Sequence, residues 1–193
     1  MEAAISRTSS LEDNLQQLEA ICAESRDLLA DLTDAEVNWQ PAPNRWSIGQ
    51  CVSHLIVSGR AELPYLESAI REGRKRRLFG KEPFQYGFLG NWFVRSMDAN
   101  GNLRFRAPKI YWPADNGFNI EVLTRDFLSL QDKLRQCLME ADGLNWARVR
   151  VSTPVSRFIT FSLGQEFALI LAHERRHLSQ AGKIKKLRSP TAL

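Results

Sequence analysis

Two histidines four residues apart form the pattern with the clearest chemical meaning in this chain. His173 and His177 lie within Phe161–Lys186, a stretch with the apolar spacing and terminal lysines of a long helix. On a helix this spacing places both imidazoles on one face, about 6 Å apart along the axis, so one divalent ion could bridge them. The remaining histidine of the sequence is His54. The pair therefore predicts a metal site whose third strong ligand comes from upstream.

The same five residues also match the HExxH motif of zinc proteases, in which the glutamate, here Glu174, is the general base. Those proteases take a third ligand, a glutamate or a histidine, from the sequence after the motif. Residues 178–193 contain no His, Asp, Glu or Cys. Glu174 also points about 100° away from the neighbouring histidine around the helix axis, which favours a structural role. The sequence therefore disfavours a protease.

Apolar periodicity and helix-start signals predict an all-α fold, a four-helix bundle with helices over residues 9–32, 47–72, 119–141 and 162–186. The predicted capping boxes are Ser9 with Glu12, Ser47 with Gln50, and Ser162 with Gln165. Residues 33–46 are predicted to be a loop across the bundle end, and residues 144–160 a brief hairpin-like connection. We expect these elements to form a single domain over residues 1–193.

Composition places the chain among ordinary soluble proteins, since 44% of its residues are hydrophobic and 25% are charged. No apolar stretch reaches the ~20 residues needed to cross a bilayer, and the first residues lack the features of a signal peptide. We therefore expect a cytoplasmic protein with no membrane partner. Its cysteines, Cys22, Cys51 and Cys137, have apolar neighbours and are predicted to be reduced core residues. The basic run near residues 71–77 is more typical of a solvated loop than of a nucleic-acid site.

Residues 73–118 form a long, aromatic-rich insert between the second and third predicted helices. A short helix is predicted near Phe88–Ala99, within a stretch that also contains Trp92. A connection of this length in a compact domain is usually functional or covers a core. We expect the insert to border the metal-bearing end, with Trp92 near the ligand. The alternative is that its aromatic side chains form a dimer interface, since C2 homodimers are the common soluble oligomers.

Depth along the helices suggests that all the histidines meet. His54 lies about two turns into the second predicted helix, and the other pair lies three to four turns into the fourth. If these two helices start at the same end of the bundle, the three imidazoles can converge. Helical spacing also offers residues that could orient an imidazole or bind substrate. These are Gln50 and Ser58, at i−4 and i+4 from His54, and Glu166 and Gln180 on the stripe of the histidine pair.

The segment Trp46–Leu55, WSIGQCVSHL, followed by His173-x-x-x-His177 and Gln180, resembles the DinB/YfiT-like family. The resemblance implies an up-down-down-up four-helix bundle with a metal, often nickel or zinc, on a histidine triad. It carries the metal-ligand role to His54, His173 and His177. Some relatives are S-transferases or isomerases that use low-molecular-weight thiols, and others are described as hydrolases. This chain departs from the pattern in its long insert and in Gln50, where many relatives have glutamate.

Three neutral imidazoles leave open positions on a divalent ion, whereas closed structural sites normally use four protein ligands. Such an ion could activate a water molecule or hold a substrate thiol as the thiolate, and histidine ligands do not discriminate among zinc, nickel and iron. We expect a metal-dependent transferase or hydrolase acting on a small molecule, as a homodimer. A non-catalytic metal- or ligand-binding module of stress physiology is the alternative. The sequence identifies no catalytic residue beyond the metal ligands.

Overall fold

The computed structural model describes residues 10–97, 108–113 and 115–188. Within them lie four long helices, as the sequence predicted, together with shorter elements in the connections. The long helices are α1 (Leu11–Leu29), α3 (Ile48–Lys75), α5 (Ile120–Glu140) and α6 (Leu163–Arg188). The shorter elements are α2 (Asp34–Val37), α4 (Phe88–Met97), a 3-10 turn (Lys109–Tyr111) and the strands β1 (Arg150–Thr153) and β2 (Ser156–Ser162). The predicted all-α bundle is therefore confirmed.

Side-chain contacts between the long helices fix their relative directions. Two pairs are parallel, because residues at matching depths meet both near the middle and near the end of each pair. These contacts are Gln17 with Arg175 and Leu28 with Lys185 for α1 and α6, and Arg60 with Asp126 and Arg74 with Glu140 for α3 and α5. Helices that are consecutive along the chain but parallel in space require a long crossover between them, and the insert between α3 and α5 provides it.

Helices α3 and α6 are antiparallel. His54 contacts His173, whereas Glu62, farther along α3, interacts with Glu166, which lies earlier in α6. The bundle therefore has the up-down-down-up topology. This is the topology that the family resemblance implied, and it means that α3 and α6 start at opposite ends of the bundle, not at the same end as the comparison of histidine depths had supposed. The histidines meet because the helices approach from opposite ends and overlap at this depth.

A capping box begins α3, the helix that carries His54. The Gln50 backbone amide donates to Ser47 Oγ over 3.1 Å, and the Ser47 amide donates to Gln50 Oε1 over 3.1 Å. A cap of this kind typically contributes about 1 kcal/mol of stability. At α6 the predicted box is formed only in part, since Ser162 donates to Gln165 Oε1 through both its amide and its hydroxyl. Ser162 also ends β2, so the predicted hairpin leads directly into α6.

Two local predictions near the N-terminus were wrong. The predicted cap Ser9 lies outside the described residues, and α1 begins one residue later than the Ser9–Glu12 box requires. The predicted loop over 33–46 contains the one-turn helix α2. The capping pairs in the structure are Ser10 with Asp13 at α1 and Thr33 with Glu36 at α2. Adjacent serines and a Thr-x-x-Glu pattern offer equivalent capping chemistry, so local sequence alone did not select among them.

Helices α3 and α5 pack closely against each other on one side of the core. A Cβ atom added at Gly59 would lie only 2.5 Å from Leu130 Cδ2, so any larger residue there would force the buried Leu130 side chain to move. Leu130, Phe127 and Trp146 are almost fully buried, and each such side chain stabilises the fold by about 1.5–3 kcal/mol. The cysteines are free and buried, as predicted, and burial raises the pKa of the Cys51 thiol to about 12. These thiols are therefore unreactive core groups.

The insert packs against the first turns of α6 through α4. Gln165 Nε2 donates to the Gly87 carbonyl over 3.0 Å and to Asn91 Oδ1 over 3.1 Å. A Cβ atom at Gly90 would overlap the same side-chain amide of Gln165, so the glycine allows the two helices to approach. The predicted short helix near Phe88–Ala99 is confirmed as far as Met97, and its last two residues lie outside the described part of the chain.

The basic run differs from the predicted loop, because its first residues continue α3. Arg74 Nη2 donates to the Glu140 carbonyl over 2.6 Å and therefore caps the end of α5. Arg71 and Lys75 lie within reach of Glu67 and Glu72 on the same helix. Part of this run thus has a structural role within the bundle. Among the described residues, no helix combines the length and the hydropathy needed to cross a membrane.

Candidate metal centre

The structure brings together all the histidines of the chain. The ring centroids of His54, His173 and His177 are 4.9, 4.6 and 4.7 Å apart, and one ligand atom from each lies within 4.8 Å of the others. His54 Nε2 lies 3.0 Å from His173 Nε2. Two nitrogens that are each about 2.1 Å from one ion and at right angles to each other are separated by about 3.0 Å. The spacing therefore fits a shared divalent ion.

Burial keeps these imidazoles in the neutral form that binds metals. Desolvation is the main cause that lowers the pKa of His54, brings that of His177 to about 3, and lowers that of His173 well below the usual range. Neighbouring imidazoles add to the effect at two of the rings: His177 and His54 disfavour a positive charge on His173, and His54 disfavours one on His177. Since all three rings are neutral near pH 7, a metal ion need not displace a proton from them.

The orientation of His54 is set by the insert. Its Nδ1 lies 2.6 Å from the Tyr111 carbonyl oxygen, which can only accept, so Nδ1 carries the hydrogen. Nε2 then keeps its lone pair and faces the other histidines. A backbone carbonyl that fixes the tautomer of a histidine is a common arrangement around metal ligands. Tyr111 was not identified from the sequence, because a carbonyl group 57 positions away leaves no signal in residue type or spacing.

His177 provides an independent indication that a ligand is required. Its Nδ1 is buried and has no hydrogen-bond partner among the described residues, while Gln180 hydrogen bonds to the same side chain. A buried polar atom without a partner costs about 1–3 kcal/mol. A metal ion would satisfy such an atom without adding a proton. The three nitrogen donors, their neutrality and this atom together fit a divalent metal site.

Trp46 borders the triad on another side. Its ring centroid lies 5.0 Å from that of His54 and 5.7 Å from that of His177. An aromatic wall excludes water and strengthens electrostatic interactions within the site. Trp46 lies one residue before the Ser47 cap, so the sequence that begins α3 also places this ring. In the sequence Trp46 was recognised only as part of the family pattern, without a predicted role at the site.

A cavity of about 1610 Å³ opens beside the histidines, between α3, α6 and the insert. Its lining includes every predicted site residue as well as much of the insert, which therefore borders the histidine-bearing region as expected. Trp92 faces this cavity and is 52% exposed. The insert residues that line the cavity within the described part are Gly87, Gly90, Trp92, Met97, Pro108, Tyr111, Trp112, Pro113 and Asp115. Such a volume accommodates a small molecule.

The four residues predicted to orient an imidazole or bind substrate make different contacts in the structure. Gln50 Oε1 accepts from the Ser47 amide and from Gln40 Nε2, over 2.9 Å in the second case, so it serves the helix cap. Ser58 Oγ donates to the His54 carbonyl within α3 over 2.8 Å and does not bond to the imidazole. Gln180 contacts His177 directly, as its spacing suggested. Glu166 lies about two turns before His173 and interacts with a carboxyl group of α3.

Two carboxyl groups lie in the same cavity, one about two turns after His54 in α3 and the other about two turns before His173 in α6. Glu166 is 1% exposed, and burial, followed by the charge of Glu62, raises its pKa to about 8. Burial raises the pKa of Glu62 to about 7, although the Tyr111 hydroxyl donates to Glu62 Oε1 over 2.5 Å. The pKa of Tyr111 is raised as well, mainly by burial. Glu62 was not identified from the sequence, although it lies eight residues after His54 on the same helix.

The glutamate of the HExxH pattern is directed toward the bundle core. Glu174 is 2% exposed, and its Oε1 accepts from Gln131 Nε2 of α5 over 2.8 Å. Burial raises its pKa to about 7. The residue borders the cavity, but this hydrogen bond ties its carboxyl group to the neighbouring helix. The structure therefore agrees with the structural role expected from helical geometry.

Comparison with known proteins agrees with this architecture. A family model described as the DinB superfamily matches residues 17–181. Among solved structures, YfiT from Bacillus subtilis, described as a probable metal-dependent hydrolase with an unusual four-helix bundle topology, is similar. The TM-score is 0.61 and the sequence identity 13%, over 97% of this chain and 91% of that chain. At this identity the likeness shows the fold alone. No curated protein matches the chain significantly.

Proposed function

The chain belongs to the DinB superfamily, and on that basis we propose that it is a metal-dependent enzyme acting on a small molecule. The observation that carries the proposal is the convergence of three neutral imidazoles on one large cavity. His54, His173 and His177 would hold one divalent ion; the family resemblance favours nickel or zinc, and three histidine ligands also accept iron. The reaction would be a hydrolysis or the transfer of a low-molecular-weight thiol.

A divalent ion on three imidazoles supplies a Lewis acid with open positions for water or a thiol. The protein residues supply the rest. The Tyr111 carbonyl holds His54 in one tautomer, Gln180 orients His177, and Trp46 excludes water from one side. The substrate would bind in the cavity beneath the insert, where apolar and polar side chains are both present. The description of YfiT as a probable metal-dependent hydrolase supports the hydrolytic option.

Metal analysis of the purified full chain tests the ligand set. We expect about one nickel or zinc ion per wild-type chain after loading and dialysis, and about tenfold less in His173→Ala, because two imidazoles hold a divalent ion far more weakly than three. Ser58→Ala is the matched control, since Ser58 lines the same cavity but bonds only to the backbone of α3. Equal metal content in wild type and His173→Ala would refute the site.

The alternative function is a non-catalytic metal- or ligand-binding module of stress physiology. The open side of the histidine cluster and the volume of the cavity favour turnover over storage. A screen of the metal-loaded chain against thiol adducts and esters distinguishes the two, with His173→Ala as the inactive reference. The proposal includes a cytoplasmic location. The three free, buried cysteines agree with it, because thiols stay reduced in that compartment.

A further inference from the structure

The second polar cluster of the cavity consists of Glu62, Glu166 and the Tyr111 hydroxyl, here called the carboxyl cluster. Glu62 Oε2 and Glu166 Oε2 are both buried, and neither has a hydrogen-bond partner among the described residues. The Tyr111 hydroxyl already donates to the other oxygen of Glu62. Two buried acceptor atoms without a donor therefore lie on residues that line the cavity, on side chains from two different helices.

No cation of the described chain neutralises these carboxyl groups. Neither takes part in an ion pair, and the interactions that shift their pKa values include no Lys or Arg. Of the arginines that line the cavity, Arg150 donates to Thr160 and Arg176 donates to the Ser96 carbonyl, while Arg45 contributes to the pKa shift of neither carboxyl group. Burying an unpaired carboxyl group is costly, and natural proteins seldom retain two of them together without a function.

The raised pKa of Glu166 is also unexpected from the position of this residue in its helix. Glu166 lies in the first turn of α6, where the helix dipole favours a negative charge. Burial and the nearby Glu62 outweigh this effect, since the pKa of Glu166 is nevertheless raised. A ligand that supplied both positive charge and hydrogen-bond donors would remove the desolvation cost for both groups. A bound water molecule would supply hydrogen-bond donors but no positive charge.

We propose that the carboxyl cluster binds a primary ammonium group of the ligand. An ammonium has three N–H donors, and the cluster offers two partnerless carboxylate oxygens and the Tyr111 hydroxyl as acceptors. The proposal extends the proposed function, because the remainder of such a ligand would reach the histidine triad. The binding subsite itself requires only the cavity and the two carboxyl groups.

The distance between the two clusters defines the ligand further. Glu62 follows His54 by eight residues, and Glu166 precedes His173 by seven. At a rise of 1.5 Å per residue, each carboxyl group lies roughly 10–12 Å along its helix from the histidines. The ligand would therefore have its ammonium group about 10 Å from the atom that reacts at the metal. This length corresponds to a chain of about seven or eight single bonds.

Isothermal titration of the metal-free full chain tests the subsite without involving the metal. The probes are hexan-1-amine and hexan-1-ol, which have the same length but differ in charge, and the titrations are made at pH 8.5. We expect wild type to bind the amine at least about tenfold more tightly than the alcohol, the equivalent of one charge-assisted hydrogen bond. Glu166→Gln and Glu62→Gln should each remove most of this preference.

His173→Ala is the control that separates this proposal from the proposed function, because it should lose the metal but keep the amine preference. Two Glu variants are used because either substitution could impair folding, and circular dichroism identifies a variant that has lost helix. Equal binding of amine and alcohol by wild type would overturn the proposal. So would a full amine preference in both folded variants, since the ammonium would then bind elsewhere.

Discussion

The three histidines and the two glutamates of the carboxyl cluster lie on the same two helices, α3 and α6, at two levels of one cavity. Burial shifts the pKa values of the two groups in opposite directions. Desolvation lowers the pKa of the histidines and raises that of Glu62 and Glu166, so both clusters tend toward neutrality. Neutral imidazoles are ready to bind a metal ion, whereas a neutral carboxyl group must lose its proton before it pairs with a cation. Desolvation thus favours metal binding by the histidines and opposes the ionisation that the carboxyl groups need to pair with a cation.

Tyr111 connects the two clusters. Its backbone carbonyl accepts from His54 Nδ1, and its hydroxyl donates to Glu62 Oε1. One residue of the insert therefore orients a predicted metal ligand and also belongs to the carboxyl cluster. The crossover between the two parallel helices consequently contributes to the cavity as well as to the connection.

The largest expected difference between the clusters is their response to metal. Adding nickel or zinc should raise the midpoint of thermal unfolding of wild type and of Glu166→Gln, because a ligand at 1,000 times its Kd stabilises by about 4 kcal/mol. His173→Ala should show almost no shift. Circular dichroism during heating measures it. A loss of the shift in Glu166→Gln would mean that the two clusters are not independent.

A smaller difference should appear in the pH dependence of stability of the metal-free chain. Burial raises the pKa of Glu166 from its ordinary 4.5 to about 8 in the fold, so the folded state binds more protons than the unfolded state between these pH values, and stability falls as pH rises through them. Between pH 7 and pH 9 this group should cost wild type roughly 1 kcal/mol, since about one pK unit of differential protonation is lost. Glu166→Gln should lack that loss.

Urea unfolding at pH 7, 8 and 9 measures this effect, and Glu62→Gln is the matched comparison. The pKa of Glu62 is about 7, so its pH-dependent loss of stability is largely complete by pH 8, and the curve of Glu62→Gln should run nearly parallel to that of wild type between pH 8 and pH 9. The histidines, whose pKa values are lowered in the fold, affect wild type and Glu166→Gln alike, so the difference between the two curves isolates Glu166. Parallel curves for wild type and Glu166→Gln would contradict the assignment.

The smallest expected effect concerns Trp92, which lines the cavity but remains half exposed. Trp92→Ala should weaken binding of hexan-1-ol by roughly twofold to fivefold, since only part of an aromatic surface is removed from the ligand. Helix content and metal content should be almost unchanged. Size-exclusion chromatography with light scattering provides the second measurement. If the variant dissociates a dimer and binds the alcohol normally, the insert is an interface instead.

Local sequence determined much of this molecule. Apolar periodicity placed the four long helices, Ser47 and Gln50 marked the start of α3, and the spacing of His173 and His177 put both rings on one helix face. These features depend on residues within one or two turns, where backbone geometry alone relates spacing to position. The aromatic density of the insert also indicated that it would pack against something, and it lines the cavity.

Only the tertiary structure decided which groups meet across the bundle. The antiparallel direction of α3 and α6, which the family resemblance implied but helical periodicity did not, brings His54 to His173 and pairs Glu62 with Glu166. The partner of His54 is the carbonyl of Tyr111, whereas Gln50 and Ser58, chosen by helical spacing, bond to the cap and the backbone. Such pairings depend on helix direction and axial offset, which are set by the packing of the whole core and leave no periodic trace in the sequence.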